Sequence, residues 1–139
     1  CDINAKYSKA LDGISIKGND IISMIDEIPI FCVVASFAKG ISSIIDAKEL
    51  RHKESDRIHA ICDNLSNMGA NIYQENDTIT IKGLKKLYNA SINHYNDHRI
   101  AMAFEIMKLS IGEQMSYEHK DIIDISFPKF YETIDSLIQ

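Results

Sequence analysis

The sequence predicts an α/β fold assembled from repeated βαβαββ units, on three observations. Short strand-like segments alternate with longer helical ones, the hydrophobic period switching between 2 and 3.6. The pair Asn76-Asp77 separates two strand-like runs, ANIYQE and TITIK, as a hairpin turn does. Finally, Asp26-Glu27 and Asp97-His98-Arg99 each follow a short β-like stretch and open an apolar helix, 71 residues apart from Asp26 to Asp97. That distance is too long for a solenoid repeat and suits duplicated α/β units whose helix starts face a common site.

In chain order, Ile14 and Ile16 alternate with polar neighbours as a short strand. Residues 27–38 form an apolar helix with Pro29 in the first turn, where its missing N–H costs little. Gly40 ends that helix and 41–46 reads as a strand. Residues 54–68 form an amphipathic helix, with Ile58, Ile61, Cys62, Leu65 and Met68 at helical spacing and Gly69 as the stop. The hairpin strands 70–75 and 78–82 follow, then a strand near 90–94 and an apolar helix from Asp97 to Leu109. A strand near 114–119 and a helix from about residue 128 to 138 complete the order. This is one full unit and most of a second, so chain upstream of Cys1 is expected to supply the remainder.

Composition excludes several classes. With 139 residues, 45% hydrophobic and 25% charged, the chain reads as an ordinary soluble domain with a real core. A net charge of −5 without any Lys/Arg run argues against nucleic acid as a partner. No apolar run approaches the ~20 residues that span a bilayer, which argues against a membrane. The start, Cys1-Asp2-Ile3-Asn4, is unlike a signal peptide, and the missing Met points to a cut or an engineered boundary. Cys1, Cys32 and Cys62 lack CxxC spacing, and the latter two fall in apolar helical patterns. Reduced core thiols in a cytoplasmic protein are expected. No Gly-rich phosphate loop, GxSxG, HExxH or paired CxxC occurs, which removes the common nucleophile and metal readings.

Three clusters remain. Lys53-Glu54-Ser55-Asp56-Arg57 puts two cations and two carboxylates at a helix start, where backbone N–H groups already favour anions. Lys53 and Arg57 can share a face if the first turn extends back to Lys53, and Glu54 can hold Arg57 at i,i+3. The cluster reads either as a grip on an anionic small molecule or as a solvated helix start. In Asn96-Asp97-His98-Arg99, Asp97 is a good N-cap, and Arg99 lies in a first turn that disfavours a cation unless an anion shares that end. Arg99 is thus either an anion ligand or the partner of Asp97 in a structural pair. His98 has no partner at metal-ligand spacing. Asp26-Glu27 precedes an almost uncharged helix, either as a cap or as a general base reached by a substrate hydroxyl.

In register along the chain, Ile25-Asp26-Glu27-Ile28-Pro29, Ala38-Lys39-Gly40 and Glu49-Leu50-Arg51-His52-Lys53-Glu54-Ser55-Asp56-Arg57 are joined by four more segments. These are Leu65, Gly69-Ala70, Tyr95-Asn96-Asp97-His98-Arg99-Ile100-Ala101-Met102-Ala103 and Ser126-Phe127-Pro128-Lys129-Phe130. Together they resemble the C-terminal portion of the EPSP synthases (3-phosphoshikimate 1-carboxyvinyltransferases), with KESDR followed by NDHRIAMA the most specific element. The resemblance implies the enolpyruvyl transferase fold, an inside-out α/β barrel of βαβαββ units. Residues 1–139 would be a partial domain of about one and a half units, with the second domain absent and the isolated chain inactive.

It also implies an enzyme of the shikimate pathway that moves the carboxyvinyl group of phosphoenolpyruvate to the 5-hydroxyl of shikimate 3-phosphate. No metal or organic cofactor is implied, and the herbicide glyphosate competes at the phosphoenolpyruvate site in this family. Asp26 would be the base at the 5-hydroxyl, Lys53 would contact shikimate 3-phosphate and the reacting oxygen, and Glu54 would protonate the methylene carbon. Arg57 and Arg99 would hold phosphoenolpyruvate, and the missing N-terminal part of the enzyme would supply the other half of the site. Ile125 stands where some members have a lysine, so Lys120 and Lys129 are the nearby alternatives, and Glu49 stands where some have Asn. Two other readings are a UDP-N-acetylglucosamine 1-carboxyvinyltransferase, which lacks the KESDR and NDHR pairing, and a non-catalytic binding module of the same fold, against which the retained charged set argues.

Overall fold

A four-stranded sheet in the order β1-β2-β4-β3 forms the frame. The computed structural model describes residues 4, 6–83 and 86–138. Strand β1 (Ser15–Lys17) runs parallel to β2 (Ile41–Ile45), so the chain between them must cross over, which it does through helices α1 (Asn19–Ser23) and α2 (Ile28–Ala35). β3 (Asn71–Glu75) and β4 (Thr78–Lys82) form the expected hairpin, and β4 pairs antiparallel with β2. Between β2 and β3 lie a 3₁₀ helix, Lys48–His52, and α3 (Arg57–Asn67). The order reproduces one βαβαββ unit. Beyond it come α4 (His98–Ser110), α5 (Lys120–Asp124) and α6 (Phe130–Leu137).

One sheet face and three helices share the main core. Ile79 and Ile81 alternate with polar residues along β4, Ile44 takes an inward position of β2, and the three pack with Ile28, Cys32, Leu50, Ile58, Ile61, Leu65, Ile100 and Phe104. A second, smaller core joins Ala101 to Met115, Ile123, Phe130 and Tyr131. Helix α4 is sandwiched between the two, which is why its sequence is apolar nearly all round instead of amphipathic. Gly69 terminates α3 as expected: its φ is 84°, and the Ala70 amide donates back to the Leu65 carbonyl at 2.8 Å. Cys32 and Cys62 are free thiols in this core, and burial pushes Cys62 up to about 11. Cys1 lies outside the described residues.

Several expectations are corrected. Helix α3 begins at Arg57, not at residue 54, because Asp56 caps it by accepting from the His59 amide at 3.1 Å. The segments 90–94 and 114–119 form no strand ladder among the described residues, and the second ends in a turn, with Tyr117 at a φ of 57°. Side chains satisfy their backbone instead: Asn64 donates to the Asn93 carbonyl and accepts from its amide, and Glu105 accepts from the Ser116 amide at 3.0 Å. The 3₁₀ helix, α1 and α5 were too short to show a period. Among the described residues, no helix is long and apolar enough to cross a membrane.

Candidate functional site

The three clusters converge on one guanidinium. Arg57 is the first residue of α3 and its side chain is fully buried. A cation there opposes the helix dipole, and three carboxylates from three segments offset it. Nε donates to Asp97 Oδ2 at 2.8 Å, Nη1 to Asp26 Oδ1 at 2.8 Å and Nη2 to Glu54 Oε2 at 2.6 Å. Burial disfavours the charge on Arg57, but the bonds to Asp97 and Asp26 more than compensate and hold its pKa above the ordinary value.

Asp97 ties two helices together. One carboxylate oxygen caps α4, accepting from the amides of Arg99 at 2.9 Å and Ile100 at 3.4 Å. The other accepts from Arg57 and, at 3.2 Å, from the Ser55 hydroxyl. The chain enters this cap through Tyr95 and Asn96, with φ of 51° and 57°, a left-handed pair uncommon for residues other than glycine. Tyr95 is held there by its hydroxyl, which donates to Asp63 at 2.8 Å.

Arg99 does not pair with the Asp97 side chain. Its guanidinium reaches Asp26, with Nη2 3.2 Å from Oδ2 and Nη1 donating to the Asp26 carbonyl at 3.4 Å. Asp26 therefore bridges Arg57 and Arg99. It does not cap α2, whose N-cap position belongs to Glu27 and carries no side-chain cap. The Arg57 hydrogen bond holds the Asp26 carboxyl below the usual carboxylate range, against the upward push of partial burial, and Arg99 and Lys53 act in the same direction. Lys53 sits on extended backbone before the helix, so it shares no helical face with Arg57, yet its charge still acts on Asp26. Asp26 and Arg99 also border a cavity of about 180 Å³ with apolar walls from Ile30, Met102, Ala103, Ile106 and Phe130. It is smaller than the roughly 300 Å³ of a complete ligand pocket. It lowers the local dielectric on one flank of the charges.

Comparison with known proteins bears on this arrangement. A family model described as EPSP synthase (3-phosphoshikimate 1-carboxyvinyltransferase) matches residues 2–134. The chain belongs to the EPSP synthase family. A 3-phosphoshikimate 1-carboxyvinyltransferase of Persephonella marina is 44% identical over 137 residues, which are 99% of this chain and 32% of that protein. One from Thermodesulfovibrio yellowstonii is 44% identical over 98% of this chain and 32% of its own length. The 2.37 Å structure of an EPSP synthase from Acinetobacter baumannii superposes with a TM-score of 0.78 at 32% identity, over 91% of this chain and 30% of that one. The chain thus spans about a third of the length of the curated relatives it matches, and its α/β unit is that of the enolpyruvyl transferase fold.

Of the residues singled out from the sequence of this EPSP synthase segment, Asp26, Glu54, Arg57 and Arg99 form one connected ion-pair network. Lys53 stands beside it. Ile125 is 74% exposed, and Lys120 is engaged by Asp124 within α5. Sequence reasoning did not find that Asp97 binds Arg57, nor what Arg51 and Ser55 do. The fixed spacing of Arg51, Ser55 and Asp56 about one helix start was the available signal. Chemically, the network offers two forked cations, an ionised carboxylate between them, and a further carboxylate and ammonium at its rim.

Proposed function

We propose that this chain carries part of the active site of a 3-phosphoshikimate 1-carboxyvinyltransferase, with phosphoenolpyruvate and shikimate 3-phosphate as substrates. The observation that carries the reading is the placement of Arg57 and Arg99 on either side of Asp26. Two arginines from different helix starts then face one point, as a substrate bearing both carboxylate and phosphate requires.

The 5-oxygen of shikimate 3-phosphate attacks C2 of phosphoenolpyruvate and loses its proton to Asp26, while the methylene carbon gains a proton from Glu54. The tetrahedral intermediate then loses a methyl proton and expels phosphate, restoring the double bond. Lys53 stabilises the reacting oxygen and contacts shikimate 3-phosphate, and Arg57 and Arg99 hold phosphoenolpyruvate. These steps are proton transfers and charge stabilisation, which the chain's own carboxylates and cations supply without a cofactor. The remainder of the enzyme completes the site, and neither nucleic acid nor membrane takes part. A cytoplasmic location fits the small charged substrates.

The test is phosphate release by the full-length polypeptide that contains this chain, given both substrates. Turnover dependent on both is expected, and none from the 139-residue chain alone. Absence of turnover by the full-length protein would overturn the reading.

A further inference from the structure

Arg51 is not among the residues assigned to substrate, yet its guanidinium makes three hydrogen bonds outside the Arg57 network. It lies in the last turn of the 3₁₀ helix with its side chain three-quarters covered, at 26% exposure. Nη1 donates to Asp56 Oδ2 at 2.7 Å, Nε to Asp77 Oδ1 at 2.7 Å, and Nη2 to the Asn76 carbonyl. Asp56 is the N-cap of α3, and Asn76 and Asp77 form the tip of the β3–β4 hairpin. One planar fork thus bolts the end of the 53–56 loop to the hairpin turn. The turn is itself anchored to the start of the 3₁₀ helix, where the Ala47 amide donates to the Asp77 carbonyl at 2.8 Å.

Between the two ends of this bolt lie Lys53 and Glu54. Both are exposed, and the loop carrying them has two further side-chain ties, Glu54 to Arg57 and Ser55 to Asp97. Neither fixes the loop to the sheet. Arg51 does, and it restrains Asp56 at the same time. Although burial pushes the Asp56 carboxyl up, the bonds from the His59 amide and Arg51 outweigh it and favour the ionised cap. A single neutral or monodentate replacement cannot reproduce three donations in one plane.

We propose that Arg51 is a positioning residue for the reaction: it fixes the Lys53–Glu54 segment on the hairpin tip so that both side chains meet the reacting atoms. The inference rests on the functional reading above. It separates Arg51 from Arg57 and Arg99, whose guanidinium groups are held by Asp97 and Asp26 and not by the hairpin.

The test compares Arg51→Ala, Arg51→Lys and Asp77→Ala with wild type in the full-length enzyme, by steady-state kinetics and amide hydrogen exchange. Arg51→Ala is expected to lower kcat about tenfold or more while KM for phosphoenolpyruvate moves by less than about threefold. Exchange should accelerate at residues 53–56 and not within α3 or α4. Arg51→Lys should recover only part of kcat, and Asp77→Ala, which leaves the Asp56 contact in place, should fall between. If Arg51→Ala does not fold, Asp77→Ala decides alone: a partial kcat loss with faster exchange confined to residues 53–56 carries the inference, and an unchanged kcat sinks it. An active wild type with unchanged kcat in both alanine variants sinks the inference alone. So does acceleration spread through α3, since that marks a merely structural role. A wild type that releases no phosphate sinks the functional reading first, and this inference with it.

Discussion

The guanidinium Nε of Arg57 lies 2.8 Å from Asp97 Oδ2, and neither side chain has any exposed surface. Two residues 40 apart in sequence thus form a dry ion pair at the meeting point of α3 and α4. Such a pair adds little to stability over well-packed apolar residues, but removing one partner strands the other charge. Asp97→Ala is expected to destabilise the protein by about 3–5 kcal/mol, with loss of the α4 cap contributing roughly 1 kcal/mol of that. Asp97→Asn keeps an acceptor for the cap and should cost less. Denaturant unfolding of the three proteins checks the order. Equal midpoints for wild type and Asp97→Ala would mean that Asp26 and Glu54 alone satisfy Arg57.

This pair also shows what the sequence could and could not reveal. Local signals were legible. The Asn76-Asp77 turn, Pro29 in the first turn of α2, Gly69 at the end of α3 and the Asp97 cap all fell where short-range chemistry placed them. The i,i+3 pair of Glu54 and Arg57 was equally local. Partner choice was not. Asp97 looked equally able to pair with Arg99, two residues away, but helical geometry turns the Arg99 side chain toward Asp26 while Arg57 fills the space above the cap. The missing strands failed for the same reason. Residues 90–94 and 114–119 alternate as strands do, yet a strand needs a neighbour, and here the Asn64 side chain bonds the Asn93 backbone and Glu105 the Ser116 amide instead.

Arg99 is 34% exposed and its side chain holds only Asp26 among the described residues, whereas Arg57 is buried and holds three carboxylates. Arg99 can therefore be removed without leaving a buried charge unpaired. Arg99→Ala is expected to fold normally and to weaken phosphoenolpyruvate binding at least about tenfold, with shikimate 3-phosphate affected much less. Calorimetric titration of each substrate into the full-length enzyme provides the comparison. Equal weakening of both at unchanged melting temperature would count against the assigned role.

His119 supplies a pH prediction in the second core. It is buried, its Nε2 has no hydrogen-bond partner among the described residues, and the Glu105 carboxylate lies 3.9 Å away. Burial holds its pKa below the ordinary 6.5, with His94 and Lys108 acting the same way and Glu105 and Glu118 opposing. A depressed folded pKa means that the unfolded chain binds the proton more readily. Stability is therefore full above about pH 6.5 and declines as pH falls through the folded value. His119→Leu should shrink the loss of melting temperature between about pH 7.5 and about pH 5. An identical loss in the variant would show that the proton is accommodated without cost.

Asp26 gives the sharpest test because two effects of one substitution run in opposite directions. Its carboxylate occupies donors of both Arg57 and Arg99, so it competes with any anion that those arginines are to bind. Asp26→Asn removes that competing charge. Phosphoenolpyruvate or inorganic phosphate should then bind more tightly, by about threefold or more. Turnover should fall by about a hundredfold or more, since the amide cannot accept the hydroxyl proton. The same substitution alters acid stability. The folded pKa of Asp26 lies below its ordinary 3.8, chiefly through the Arg57 hydrogen bond, so the pair stabilises above that value and is lost as pH falls below it. Asp26→Asn should accordingly flatten the acid limb of the stability curve below about pH 4. Isothermal titration, steady-state rates and pH-dependent melting separate the three consequences. Weaker phosphate binding in Asp26→Asn would show that the carboxylate orders the two arginines more than it competes for them. Retained turnover would remove Asp26 from the proton path.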